Sequence, residues 1–230
     1  MIELPQLSLY RRVTAAALVA APAIFLLDNL IHPKEYERNN EAKQLAEIAE
    51  HYDRWQIAHA LGFIAIIVFA AAVLGLAFLV RRRSPILGLV AGGLAVIGLL
   101  GLAAVITIDG YTWGVLGHVS GRADRNPDQD TLQFALHGIQ QSKWSLLYYV
   151  TPLAWIVGVA ALGIGAARQG AVPGWAGGLF ALGALLVGIE TAVTSNAYFI
   201  AAASVLAVGS VAIGVTVARM SDEEFASGGP

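Results

Sequence analysis

The chain contains no cysteine among its 230 residues. Disulfide cross-links, thiolate nucleophiles and zinc or iron–sulfur centres built on cysteine are therefore excluded. Charge is the second scarcity: 13% of residues are Asp, Glu, Lys or Arg, about half the fraction of an ordinary soluble domain. A formal net charge of −2, with basic residues gathered at the ends of apolar runs, excludes nucleic acid as a partner. The sequence also lacks a Walker loop, a dinucleotide-binding glycine fingerprint and a G-x-S-x-G elbow, so no phosphate cradle or serine nucleophile is readable. Alternation of period two is missing as well, which excludes a transmembrane barrel.

What remains is apolar. Hydrophobic residues make up 57% of the chain, the mean hydropathy is +0.66, and several runs reach the ~20 residues that cross a bilayer as helix. Backbone polar groups in lipid must be satisfied within the segment, so these runs are expected to be helical. The predicted fold class is all-α: one polytopic transmembrane domain of six helices with helical extensions on the outer face. The spans are placed at 13–31, 57–80, 86–108, 144–167, 174–194 and 198–218, and the outer segments at 32–56 and 109–143.

Residues 1–12 read as a short tail. The apolar run from Val13 begins like a signal peptide, with Ala21-Pro22-Ala23 resembling a cleavage site, but it continues to Ile31 and has the length of a span. Pro22 should kink it, and Pro33 should end it by restricting His32. Glu41 to Arg83 is polar at first and apolar from Ala58 to Val80, and reads as one long helix with Leu45, Ile48 and Ala49 on a packed face. Asp109-Gly110 should close the third span, Gln169 to Pro173 should form a tight turn, and the acidic, then small-residue tail 221–230 should be disordered. Gly88/Gly92 and Gly174/Gly178 have the spacing of close helix-packing faces. Trp55, Trp113, Trp144, Tyr111, Tyr148, Tyr149 and Tyr198 suit an interfacial aromatic belt, with Arg54 and Lys143 as snorkelling anchors. Arg54-Trp55 through Gly92-Gly93-Leu94 is similar to Lys143-Trp144 through Gly177-Gly178-Leu179. Both a duplicated hairpin and the common needs of any two hairpins account for that.

Orientation follows from basic density. Arg11, Arg12, Arg81, Arg82, Arg83, Arg168 and Arg219 lie tight against span ends, whereas the remaining basic residues are diluted among acids. This places the first set, and both termini, on the cytoplasmic side of a bacterial inner membrane.

All five histidines then fall on the outer side. Counting from the cytoplasmic ends brings His32, His59, Asp109 and Glu190 to about one depth, with Asp28 a turn deeper on the face of His32. A charge inside the bilayer costs ~2.5–3.5 kcal/mol on insertion scales, so Asp28 should pair with His32 or His59, and Glu190 with His59 or Lys143. Asp28, His32, His59 and Glu190 are therefore the candidate site, with His118 and His137 as a second tier. Such a set has the donors for a divalent metal ion. Two imidazoles could also ligate one haem b, although the inner half lacks the histidines that a di-haem b561-type bundle needs. A charge-paired cap that binds nothing is the third reading, and a pocket for a small lipophilic ligand or quinone the fourth.

A basic tail, a first span ending in Asp28-x3-His32-Pro33, a polar helix leading to Arg54-Trp55-x3-His59 and the turn Ser195 to Tyr198 resemble a broad group of six-helix membrane proteins of high-GC bacteria that has no assigned activity. The resemblance implies an integral membrane location and transfers no catalytic residue. The expected function is that of an accessory or binding component with a polar His/acid pocket at the outer boundary. The alternative is a metal- or haem-dependent membrane enzyme or redox protein using the same residues. Beyond the lipid bilayer, a membrane-protein partner or a second copy of the chain remains open.

Overall fold

The computed structural model describes residues 4–33, 41–120, 147–189 and 196–229. Within them the chain is helical and contains no strand: α1 (Leu4–Ile31), α2 (Glu41–Glu50), α3 (Tyr52–Arg83), α4 (Pro85–Ser120), α5 (Leu147–Arg168), α6 (Gly174–Gly188), α7 (Asn196–Arg219) and α8 (Asp222–Ser227). Helices α1, α3, α4, α5 and α7 are long and apolar enough to cross a membrane, and α6 is a shorter apolar helix. The 15 residues of α6 rise only ~22 Å, short of a ~30 Å hydrocarbon core. The protein is thus a multi-pass helical membrane protein, as its hydropathy requires.

The six apolar helices close into a ring. α1 packs against α3 and α7, α3 against α4, α4 against α5, α5 against α6 and α6 against α7, while α3 also reaches α5 across the middle. Phe69 of α3 fills that middle, with ring centroids 6.4 Å from Trp155 and 5.9 Å from Phe180. Leu18, Val73, Leu76, Leu162 and Ile213 complete a fully buried core around it. Without a hydrophobic drive between helices in lipid, close approach must come from small residues. A Cβ at Gly98 would lie 2.4 Å from the backbone of Trp155, and one at Gly158 would lie 2.3 Å from the backbone of Ala95, so α4 and α5 touch main chain to main chain. Gly88 and Gly92 pack on α3 as expected, but Gly174 and Gly178 face open space. On α6 the close approaches belong to Gly177, against α5, and Gly183, against α7. The expected face is displaced around the helix because spacing alone does not say which small residue meets the neighbour.

The arginine-rich ends are tied together. The Gln169 amide donates to the Val80 carbonyl at 3.0 Å and the Arg83 guanidinium to the Gln169 carbonyl at 2.6 Å. The expected turn at 169–173 is present, with Gly170 at φ +72. The tail expected to be disordered instead forms α8 beneath this end. Ser221 accepts from the Glu224 amide while the Glu224 carboxylate accepts from the Ser221 amide, a reciprocal capping box. Gly228, at φ +93, caps the other terminus. Phe225 is fully buried against Tyr10 and Phe78, and Asp222 pairs with Arg11 at 2.8 Å. Composition reads this tail as acidic and small; it folds because one aromatic and one cap fit a basic surface prepared for them.

Three further expectations are corrected. Residues 4–12 are not a tail but the first turns of α1, with Leu7 buried. The long helix from Glu41 breaks at His51, where ψ is 36°. Leu45 and Ile48 are buried, and Ile48 occupies the notch of Gly117 on α4. That packing turns α2 onto α4 although no breaker residue is present. Finally, α4 does not end at Asp109-Gly110 but runs on to Ser120. Gly110 is there for space, since a Cβ would meet the His59 ring at 2.7 Å.

Candidate functional site

The end of the ring opposite the arginines gathers the polar side chains. α1 stops at Ile31 as Pro33 demands, and Arg54 on α3 donates to the Ile31 carbonyl from Nε at 3.2 Å and from Nη2 at 3.0 Å. A cation at a helix C-terminus is favourable, and this clamp fixes the end of α1 beside α3. The His32 ring consequently lies 5.0 Å from Trp55 and 5.3 Å from His59, centroid to centroid. Trp55 is not part of an aromatic belt: only 2% of it is exposed, its indole N–H donates to the Gly110 carbonyl at 3.0 Å, and its ring lies 4.2 Å from His59. Tyr111, by contrast, is exposed as the belt expectation requires. Arg54 acts as a clamp between helices and not only as an anchor.

His59 is held at both nitrogens. Nδ1 lies 2.9 Å from the Trp55 carbonyl, and Nε2 lies 3.3 Å from Asp109 Oδ2. A carbonyl only accepts, so Nδ1 carries a hydrogen. The contact between Nε2 and Asp109 then requires a further proton, on the imidazole or on the carboxyl. One proton is thus held between His59 and Asp109 in either form. Asp28 is almost fully buried and abuts α3 at Gly62, one turn from His59. Its carboxylate lies 3.1 Å from where a Cβ on Gly62 would stand, so Gly62 makes room for it.

His32 behaves differently. Its Nδ1 lies 3.2 Å from the Pro33 carbonyl and is the donor by the same reasoning. Burial first, and the neighbouring His59 second, push its pKa down to about 4. His32 is therefore neutral at ordinary pH and presents the lone pair of Nε2.

The structure thus brings together Asp28, His32 and His59 of the expected set. It adds Asp109 and Trp55, which the sequence reading gives to the end of the third span and to the aromatic belt. Among the described residues, His59 pairs with Asp109, where Asp28 is one of the expected partners. Glu190 and His137 lie outside the described residues, as does Lys143. His118 does not join the cluster; its ring packs on Tyr52 at 5.0 Å.

Among the described residues, Asp28, His32 and His59 do not present the geometry of a metal or haem site. Among the described residues, the one group of three donors whose ligand atoms lie within 4.8 Å of one another is Glu47, Glu50 and His51, half-exposed on one helical turn. Asp28, His32 and His59 form no such group, and both nitrogens of His59 are already engaged. Rings 5.3 Å apart and tilted by 48° leave no slot for a flat macrocycle with iron between two imidazoles.

The chain belongs to the family described as a domain of unknown function, DUF4386, whose model matches residues 13–220. This agrees with the resemblance carried by the Asp28-x3-His32-Pro33 and Arg54-Trp55-x3-His59 motifs. No curated protein and no solved structure matches the chain.

Proposed function

We propose that this protein is a single-domain binding component of the bacterial cytoplasmic membrane, with both termini cytoplasmic and a ligand-recognising polar layer of Asp28, His32, His59 and Asp109 at its outer end. The observation that carries the reading is the division of labour between the two histidines. His59 shares a proton with Asp109 and is immobilised at both nitrogens, while the neighbouring His32 offers an open acceptor. An apolar wall, Trp55, stands against both rings. This combination suits a small lipophilic molecule bearing one hydrogen-bond donor, a hydroxyl or an amine, that enters from the membrane boundary. The density of arginine at the opposite end supports the orientation.

The test follows histidine 15N resonances of the detergent-purified protein during titration with a medium-chain alcohol and the matching amine. Binding should move the His32 Nε2 resonance and leave the His59 Nδ1 resonance near its starting position. Absence of any change in His32 with both probes would remove the reading. Elemental analysis and a visible spectrum of the same sample address the metal and haem alternative. A stoichiometric metal or a Soret band lost in His32→Ala and His59→Ala would replace the binding role with a cofactor-dependent one.

A further inference from the structure

At the arginine end, the packed seam between α1 and α7 carries an open groove of about 660 Å³. Its walls are small, with Ala16, Ala20, Gly214 and Ala218 along its length, and Arg11 and Arg12 stand at its mouth. The eight residue steps from Arg12 to Ala20 rise ~12 Å, most of one leaflet of a ~30 Å hydrocarbon core. The groove therefore runs from headgroup depth into the acyl region. Its two arginines differ. Arg11 is fixed in place, with Nε on Asp222 at 2.8 Å and Nη1 on the Ala218 carbonyl at 2.8 Å. Arg12 is exposed and makes no ion pair or hydrogen bond among the described residues.

We propose that this groove is an anionic phospholipid site, in which the phosphate lies on the Arg12 guanidinium beside Arg11 and one acyl chain lies along the small-residue walls. A guanidinium presents a planar fork that matches two phosphate oxygens, and basic pockets between transmembrane helices are suited to anionic headgroups. A second copy of the chain fits less well. A helix ~10 Å across laid in the groove would cover Arg12 and would have to bring an acid to it, because a buried unpaired cation is costly.

The full-length protein, freed of lipid in detergent, is examined by native mass spectrometry with added phosphatidylglycerol or phosphatidylcholine of identical acyl chains. Wild type should retain one phosphatidylglycerol with about five-fold preference, the worth of one arginine at an anionic surface. Arg12→Gln should abolish that preference without altering phosphatidylcholine retention. Ala16→Leu, which fills the groove from an exposed position, should weaken both lipids. Unchanged melting temperatures would show that neither variant disturbs the fold. Equal retention of the two lipids by wild type, an unaffected Arg12→Gln, or a lipid-independent dimer dissolved by Ala16→Leu would each overturn the assignment.

Discussion

Removing His59 and Asp109 singly and together measures whether the shared proton is a real coupling. His59→Ala leaves the Asp109 carboxylate without its imidazole and takes away ring contacts to Trp55 and His32. A hydrogen bond to a charged group contributes ~1.5–3 kcal/mol, and aromatic contacts of this kind add ~0.5–1.5 kcal/mol. The pair is not fully enclosed, with side-chain exposures of 13% for His59 and 31% for Asp109, so solvent screening places the coupling near the low end, at ~1.5 kcal/mol. His59→Ala alone should cost ~2–3 kcal/mol once the ring contacts are included. Asp109→Asn should cost less than Asp109→Ala, because the amide can donate to a neutral Nε2 and restore a hydrogen bond without charge. Reversible unfolding in mixed detergent micelles, scored against the fraction of denaturing detergent, supplies the four free energies of the double-mutant cycle. A coupling below ~0.3 kcal/mol, the usual scatter of independent sites, would refute the shared-proton geometry and with it the immobilisation of His59.

Two other outcomes follow from the same structure. The folded-state pKa of His32 lies near 4, below the ~6.5 of an unfolded chain, so the unfolded state binds more protons between those values and stability should rise with pH there. Its contribution, up to about 3 kcal/mol, is complete above the unfolded value and lost as pH falls from ~6.5 towards 4; His32→Phe should flatten this slope relative to wild type, and equal slopes would contradict the burial argument. Phe225→Ala should release α8 without unfolding the ring: amide exchange at Phe225 and Gly229, whose N–H groups bond the Ser221 and Glu224 carbonyls, should quicken at least ten-fold. Loss of a fully enclosed Phe costs ~3–5 kcal/mol, but a terminal helix can detach, so the melting temperature should fall by less than that figure implies; collapse of the whole bundle would show α8 to be integral to it.

How much of this was readable from residue order depends on which force decides each feature. Spans are legible because lipid leaves the backbone a single solution and because ~20 apolar residues are a long signal. The meeting of Asp28, His32 and His59 is partly legible for a related reason: helices of fixed rise convert sequence distance into depth, so residues at one depth on neighbouring helices are candidates to touch. Depth carries no azimuth, however. It could not say that His59 faces Asp109, nor that Trp55 turns inward, because those depend on which helices are neighbours around the ring. The glycines show the same limit from another side. Gly110 looks like a helix stop when only local propensity is weighed, yet it lies mid-helix because the imidazole of His59 needs the volume a Cβ would take. Gly62 does likewise for the Asp28 carboxylate. These two absences of side chain, on α4 and α3, are what let two acids and two imidazoles share one layer, and adding a methyl at either position tests that layer without touching any polar group.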